Sequence, residues 1–434
     1  MTQSVRPIDK IEFRIPMTRQ LMHVRSTSIS NLVFATLVTF CGQTVAGDWP
    51  QILGPNRNGI ATGEKIADAW PEKGPKIVWQ REVGDGFSGV AVAGGIAILF
   101  HRVKDREVIE AMNAKTGKVL WKQSHATDFA SPYNPDKGPR CTPVIHKGQV
   151  YVFGAQGVLH CLRLKDGKTV WMRKTHAEFG APEGYFGAGS TPIVEGDKLL
   201  VNVGARTGAG IVAFDRKTGK TIWKSTNEFG SYSSPVAATV DGVRHVLFIT
   251  RYKLLSLNPA DGKVRFSLPF GKRGPTINGA APVVLNGHVF VSSHYRVGAV
   301  YGKIGKAKLS VAWKSDDVMS NHYATCIEHA GYLIGIHGQE RVNASELRCF
   351  HPVTKKIRWT KRGFGYGSLI KADGKILALT TTGKLILFKA DTSKYDELAR
   401  AQVLKTATRA LPALADGLLY VRDTNTLKCL KVGK

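Results

Sequence analysis

Short apolar stretches bounded by polar turn residues recur along this chain, and one phrase returns again and again. The clearest copies are EAMNAKTGKVLW (Glu110–Trp121), HCLRLKDGKTVW (His160–Trp171) and VAFDRKTGKTIW (Val212–Trp223). Weaker copies are LLSLNPADGKVRF (Leu254–Phe266) and LRCFHPVTKKIRW (Leu347–Trp359). Each reads as strand, tight turn, strand, with the Gly of Thr-Gly or Asp-Gly taking positive φ. A small-residue cluster, often ending in Pro, precedes each hairpin turn by about thirty residues, as in CTPVI (Cys141–Ile145), STPIV (Ser190–Val194) and SSPVA (Ser233–Ala237). The Pro slot falls at positions 90, 143, 192, 235, 282, 326, 369 and 412, at intervals of 43 to 53 residues. A period of this length with one hairpin per unit predicts an all-β fold, an eight-bladed β-propeller.

The aromatic residues keep the same period. Of eight Trp, six occupy one slot at the end of the hairpin or its equivalent: Trp79, Trp121, Trp171, Trp223, Trp313 and Trp359. Phe266 fills a seventh slot, and the unit KYDELARAQVL (Lys394–Leu404) has lost its aromatic. These rings are expected to pack between neighbouring blades. Trp79 sits in KIVWQREVG (Lys76–Gly84), before any complete blade, and the last unit (Gly417–Lys434) ends without its own outer strand. The propeller is therefore expected to close by an N-terminal strand, Lys76–Gln80, paired near Leu427–Leu430, which removes an exposed sheet edge.

Composition adds an export signal and a charge. Arg14, Arg19 and Arg25 precede the apolar run NLVFATLVTF (Asn31–Phe40) and then CGQTVAG (Cys41–Gly47). Basic, apolar and small residues in that order outline a secretory signal over residues 1–47, with Met17 or Met22 as possible true starts. The ten-residue run is too short to span a bilayer as a helix. Phe40 just before Cys41 argues against lipid attachment there. The expected organisation is then a signal (1–47), an N-terminal extension (48–75) and the propeller (76–434), in the periplasm or cell envelope. The chain carries 61 Lys+Arg against 33 Asp+Glu. An exported basic protein points to anionic envelope components or a protein partner rather than nucleic acid. Cys161, Cys349 and Cys429 fall at one strand slot of different blades, so no disulfide among them is expected.

Propeller topology gathers two loop sets on one face: those leading into each innermost strand, and those joining second to third strands. The lead-in loops are glycine-rich and aromatic, the longest being Ser124–Arg140 and Thr175–Gly189. The second set repeatedly carries a base. Arg102, Arg251, His294, Arg296, His337 and Arg422 are the candidate ligand-binding residues of this channel mouth. Aromatics interleaved with cations suit a planar or sugar-like anion, held by stacking and charge-assisted hydrogen bonds. No catalytic motif is present: there is no phosphate-binding glycine loop, no HExxH and no Cys-x-x-Cys. No acidic pattern singles out a metal site or a catalytic residue.

The phrase A-x-D-x-x-TG-x-x-x-W resembles the tryptophan-docking repeat of quinoprotein alcohol dehydrogenases, and VAFDRKTGKTIW (Val212–Trp223) is close to it. DWPQILGPNRNG (Asp48–Gly59) resembles the lead-in of secreted bacterial PQQ-like propeller proteins, and Glu397–Leu404 and Leu418–Leu430 resemble the closing blades of that group. The resemblance implies an eight-bladed propeller outside the cytoplasm. In the enzymes of the wider superfamily it implies pyrroloquinoline quinone (PQQ) and Ca²⁺ in the mouth, with adjacent cysteines under the cofactor in several of them. This chain has no adjacent cysteines. An outer-membrane assembly lipoprotein of similar architecture implies that such repeats also serve as noncatalytic scaffolds. The leading expectation is a noncatalytic binding or scaffold protein; the alternative is a PQQ-dependent dehydrogenase with a divergent site.

Overall fold

A computed structural model describes residues 47–274, 276–340 and 345–434. The expected signal, apart from Gly47, lies outside the described residues, as does Cys41. Eight four-stranded antiparallel sheets follow one another along the chain. Blade 1 is Ala91–Ala93, Ile96–Val103, Arg106–Asn113 and Val119–Ala126, and blades 2 to 7 repeat this order. The first strand of blade 1 touches those of blades 2 and 8, and that of blade 6 touches those of blades 5 and 7, so the first strands line the axis. Blade 8 takes three strands from the C-terminus and its outermost strand from Lys76–Glu82. There Ile77 faces Leu430, Trp79 faces Cys429 and Gln80 faces Lys428. The ring is thus an eight-bladed propeller closed by an N-terminal strand, as the orphan Trp79 requires.

One local device is repeated in all eight blades. The outermost strand is bulged next to the docking position, so an extra residue is left unpaired there. The bulge turns the Trp ring toward the next blade. Its indole N–H donates to a carbonyl in that blade's third-to-fourth-strand turn: Trp79 to Ala114 at 3.0 Å, Trp121 to Leu164 at 2.8 Å, Trp171 to Arg216 at 3.0 Å and Trp313 to Pro352 at 2.7 Å. The residue across the ladder varies from Ala111 and Ala213 to Cys161, Cys349 and Cys429. These three thiols are buried and free, and burial pushes each up to about 12. Phe266 stands in the Trp position of blade 4, and Ala399 in that of blade 7.

The turn glycine answers two demands at once. Gly219 has φ 72°, and a Cβ there would lie 2.7 Å from the Trp171 ring. Asp215 at the head of the turn accepts from the Lys217 and Thr218 amides. Gly219→Ala therefore combines backbone strain with a clash against a ring packed between blades. It should cost about 1–3 kcal/mol, read as a lower denaturant midpoint at an unchanged slope. An unaltered midpoint would show that the ring is not held by this turn.

Residues 48–66 do more than precede the propeller. They run as a strap through the ring against its innermost strands. Trp49 exchanges backbone hydrogen bonds with Val92 in blade 1, and the Pro50 carbonyl accepts from Ile145 in blade 2. Arg57, only 3% exposed, donates to the carbonyls of Thr191 and Pro192 in blade 3 and Pro235 in blade 4. Ala61 and Gly59 exchange hydrogen bonds with Lys371 in blade 7, and the Glu64 carboxylate accepts from the Asp416 and Gly417 amides of blade 8. Ile52 and Leu53 pack on Val236, Ala281 and Leu411. The strap floors the axial channel, so the mouth becomes a blind cup.

Candidate functional site

The cup is a cavity of about 420 Å³ above Ile52 and Leu411. Seven of the eight lead-in loops contribute to its wall, because each innermost strand starts at this face. Phe87, Tyr133, Arg140, Tyr185, Phe186, Tyr232, His322, Tyr323 and Arg409 come from those loops, and Tyr295 and Glu340 from second-to-third-strand loops. The rings support one another edge to face. Tyr133 meets Tyr185 at 4.9 Å between centroids, and Phe186 meets Tyr232 at 5.6 Å. Across the cup, the Tyr295 hydroxyl lies 2.6 Å from His322 Nε2, and Tyr323 packs on Tyr366 at 4.7 Å.

Two tyrosines fix the loop backbones that carry these rings. The Tyr232 hydroxyl accepts from the Phe186 amide at 2.9 Å. The Tyr366 hydroxyl accepts from the Tyr323 amide at 2.6 Å and the Ala324 amide at 2.8 Å. Close approach needs glycine: a Cβ on Gly189 would lie 2.3 Å from the Tyr232 ring. Burial pushes the Tyr232 phenol up to about 12 and raises Tyr323 well above its usual value. Both stay neutral at physiological pH and serve as hydrogen-bonding rims on apolar plates.

Charge in the cup is concentrated on one ring. The guanidinium of Arg140 lies 5.4 Å from the centroid of Phe87, and that of Arg409 lies 5.2 Å from the same centroid. Arg409 also reaches both carboxylate oxygens of Glu340, at 2.9 and 3.0 Å. Arg140 is held from behind by the carbonyls of Gly138 and Asp136 and lies 3.7 Å from the Asp136 carboxylate. Burial works against the charge on Arg140 and the nearby Arg409 adds to it, with Asp136 opposing; the net shift is downward. Burial likewise opposes the charge on Arg409, but Glu340 outweighs it. Two cations share one aromatic plate in a cup whose described wall supplies one carboxylate. That arrangement attracts a flat group bearing negative charge.

Of the six residues singled out in the sequence, Arg251, His294 and Arg296 lie in second-to-third-strand loops, Arg102, His337 and Arg422 lie in the second strands that run into such loops, and none lines the cup. Second and third strands stand farther from the axis than the first, so their loops mostly meet the lead-in loops from behind, and reach the cup only through Tyr295, Gln339 and Glu340 among the described residues. Arg102 donates to the carbonyls of Lys104, Thr127, Phe129 and Lys137, lacing the loop that carries Tyr133. Arg422 is 2% exposed and donates to Gly84 and Asp423; burial pushes it down to about 10, against the pull of Asp136, Asp423 and Asp85. Arg251 donates to Gly274 and Thr276 and covers the outer side of Tyr185. His294 lies 3.3 Å from the Ser320 hydroxyl. Burial first, then Arg348, pulls His337 down to about 4. Arg296 is exposed. The cations that do line the cup, Arg140 and Arg409, sit in lead-in loops; their signal was a lone Arg beside the small-residue cluster, as in PRCTP and TRALP.

The residues present bear on the cofactor pair that the resemblance implies. Ca²⁺ takes six to eight oxygen ligands, several of them carboxylates. The one carboxylate among the described residues lining the cup, Glu340, is clamped by Arg409. Among the described residues no group of three or more His, Cys, Asp or Glu is placed to hold a metal. The site therefore does not fit a calcium-bound quinone, although its plates and arginines could receive a planar carboxylate.

Comparison with known proteins places this geometry. The ADH-IIG quinohemoprotein alcohol dehydrogenase of Pseudomonas putida is 28% identical over 125 residues, covering 27% of this chain and 16% of that protein. The outer membrane protein assembly factor BamB of Yersinia pestis is 30% identical over 144 residues, covering 32% of this chain and 30% of that protein. The chain thus spans less than a third of the length of either relative. Among solved structures, BamB of Moraxella catarrhalis superposes with a TM-score of 0.59 at 15% identity, over 82% of this chain and 97% of that one. Quinohemoprotein alcohol dehydrogenase of Comamonas testosteroni gives 0.51 at 14% identity, over 89% and 81%. At such identities the likeness is one of fold, and fold alone carries no activity. The family described as outer membrane protein assembly factor BamB matches residues 104–361, more than half of the sequence, and the chain belongs to that family.

Proposed function

We propose that this chain is an exported, noncatalytic scaffold propeller that takes part in envelope protein assembly and holds a partner protein at its mouth face. The cup would grip an aromatic or other flat group that carries a carboxylate. The observation behind this reading is the sharing of Phe87 by Arg140 and Arg409 inside a wall of rings. A blind floor also suits gripping a protruding group rather than passing a substrate through. No helix among the described residues is long and apolar enough to cross a membrane. The second reading, a quinoprotein dehydrogenase, draws on the alcohol dehydrogenase relative.

PQQ itself is a useful probe, because it is planar and carries three carboxylates. It should bind without added Ca²⁺, less tightly as salt rises, and should support no dye-linked alcohol oxidation. Arg409→Gln combined with Glu340→Gln removes the pair without leaving a lone charge. Binding should then fall about tenfold or more, with the melting temperature little changed. Calcium-dependent binding with turnover would replace this reading by the dehydrogenase. Unchanged affinity in the double variant would remove the cup from the function.

A further inference from the structure

The face opposite the mouth carries a band of positive charge that carboxylates do not match. It is formed by the first-to-second-strand hairpins near the axis and the third-to-fourth-strand turns farther out. The outer turns of blades 1 to 7 hold twelve exposed lysines, at positions 115, 118, 165, 168, 217, 220, 263, 306, 308, 355, 356 and 394. Among the described residues, only Lys263 of these lies within 4 Å of a carboxylate. The acids of the same turns are used locally. Asp215 and Asp391 accept from the amides of their own turns, and Asp166 pairs with Arg163. Nearer the axis, Asp373 pairs with Lys65 and Lys375, and Asp197 with Lys198.

Aliphatic side chains stand beside these lysines. Leu120, Val170 and Ile222 are 48%, 46% and 43% exposed, each two residues beyond a turn lysine and each the unpaired residue of its bulge. Val353 in the blade 6 turn is 60% exposed. A soluble polyanion would use the lysines and gain nothing from the aliphatic groups. A bilayer surface uses both: anionic headgroups take the ammonium groups, and the short apolar side chains enter the headgroup boundary. The turns end at one side of the ring, so many points can engage a flat surface together.

We infer that the turn face is a docking surface for an anionic lipid bilayer, which leaves the mouth pointing away from the membrane. This inference is independent of what the cup holds. The test is sedimentation of the full chain with phosphatidylcholine vesicles, with and without a third phosphatidylglycerol. The full chain includes the apolar run Asn31–Phe40, so the comparison is between variants that all retain it. Binding should favour the anionic vesicles and weaken with salt. Lys118→Glu/Lys168→Glu/Lys220→Glu should lower the partition into anionic vesicles by roughly tenfold or more. The control triple Lys104→Glu/Lys272→Glu/Lys405→Glu makes the same change of net charge on the mouth face and should lower it far less. Leu120→Ser/Val170→Ser/Ile222→Ser should remove much of the binding left at high salt. Equal losses for the two charge-reversed triples, or no preference for phosphatidylglycerol, would overturn the inference. So would a serine triple that binds as wild type at every salt concentration, since the surface would then be a generic polyanion site.

Discussion

A chain that begins after Glu82 should fail to give a cooperative unfolding transition. The lost strand uncovers one edge of Thr426–Lys431, where six residue pairs had formed, and leaves it bonded only to Leu418–Arg422. It also removes the Trp79 ring from its place against Gly117 and Tyr420. Glu110, fully buried in blade 1, loses Arg81 at 2.9 Å and keeps Lys122 at 2.6 Å and His101 at 3.7 Å. The same cut takes away the strap and with it hydrogen bonds to six blades. Domains are stable by only about 5–15 kcal/mol, and losses on this scale exceed that margin. Denaturant titration followed by circular dichroism is the measurement. A sharp transition near the wild-type midpoint would mean that seven and three-quarter blades are self-sufficient.

Much of this arrangement could be read in the sequence because each part of it is local and repeated. The turn glycine, the head-of-turn Asx and the Trp recur at fixed spacing, and their recurrence is the fold. The closing strand was legible through an absence, the missing outer strand of the last unit. The strap was not. Asp48–Gly59 stood out as a motif, but its work is to satisfy carbonyls at Thr191, Pro192 and Pro235, and nothing local ties Arg57 to those residues. The cup was legible in part, as aromatic lead-in loops on one face. The cations that line it, Arg140 and Arg409, stand in the lead-in loops, whereas the six singled out in the sequence stand in or beside the second-to-third-strand loops. Recurrence drew attention to Arg102, Arg251 and Arg422, and recurrence in a propeller marks what every blade needs, which is bracing of the lead-in loops. The cup is built where the blades differ, so Arg140 and Arg409 followed no period.

Acid should unfold this protein earlier than its carboxylates alone would require. His101, His160 and His176 are buried, and each is held down to about 4. Burial is the main cause in all three; the Arg422 charge adds to it at His101 and the neighbouring His125 at His160. A histidine kept neutral in the fold binds fewer protons than it does in the unfolded chain, whose imidazoles titrate near 6.5. The unfolded chain is thus favoured as pH falls from about 6.5 to about 4, and stability is lost across that window. Each of the three could contribute on the order of 2–3 kcal/mol by pH 4. Thermal melts at half-unit pH steps should fall steadily below pH 6.5. His160→Leu, whose ring site lies 4.8 Å from His125, should shift the decline to lower pH while costing little at pH 8. A melting temperature that stays flat down to pH 4.5 would mean that these sites admit a proton without penalty.

The closing strand also sets an order of events in time. Trp79 and Cys429 face each other across one ladder, yet nearly the whole propeller separates them along the chain. Contacts between distant segments form slowly, because the intervening chain must first be confined. As the chain emerges, Lys76–Glu82 is among the earliest segments made and among the last to find its partner. Until Thr426–Lys431 arrives, blade 1 has no neighbour on one side and the first-made strand remains an open edge, a state prone to pairing with other chains. Refolding should therefore show a slow final phase that reports on Trp79, preceded by faster formation of the middle blades, and yield should fall as protein concentration rises.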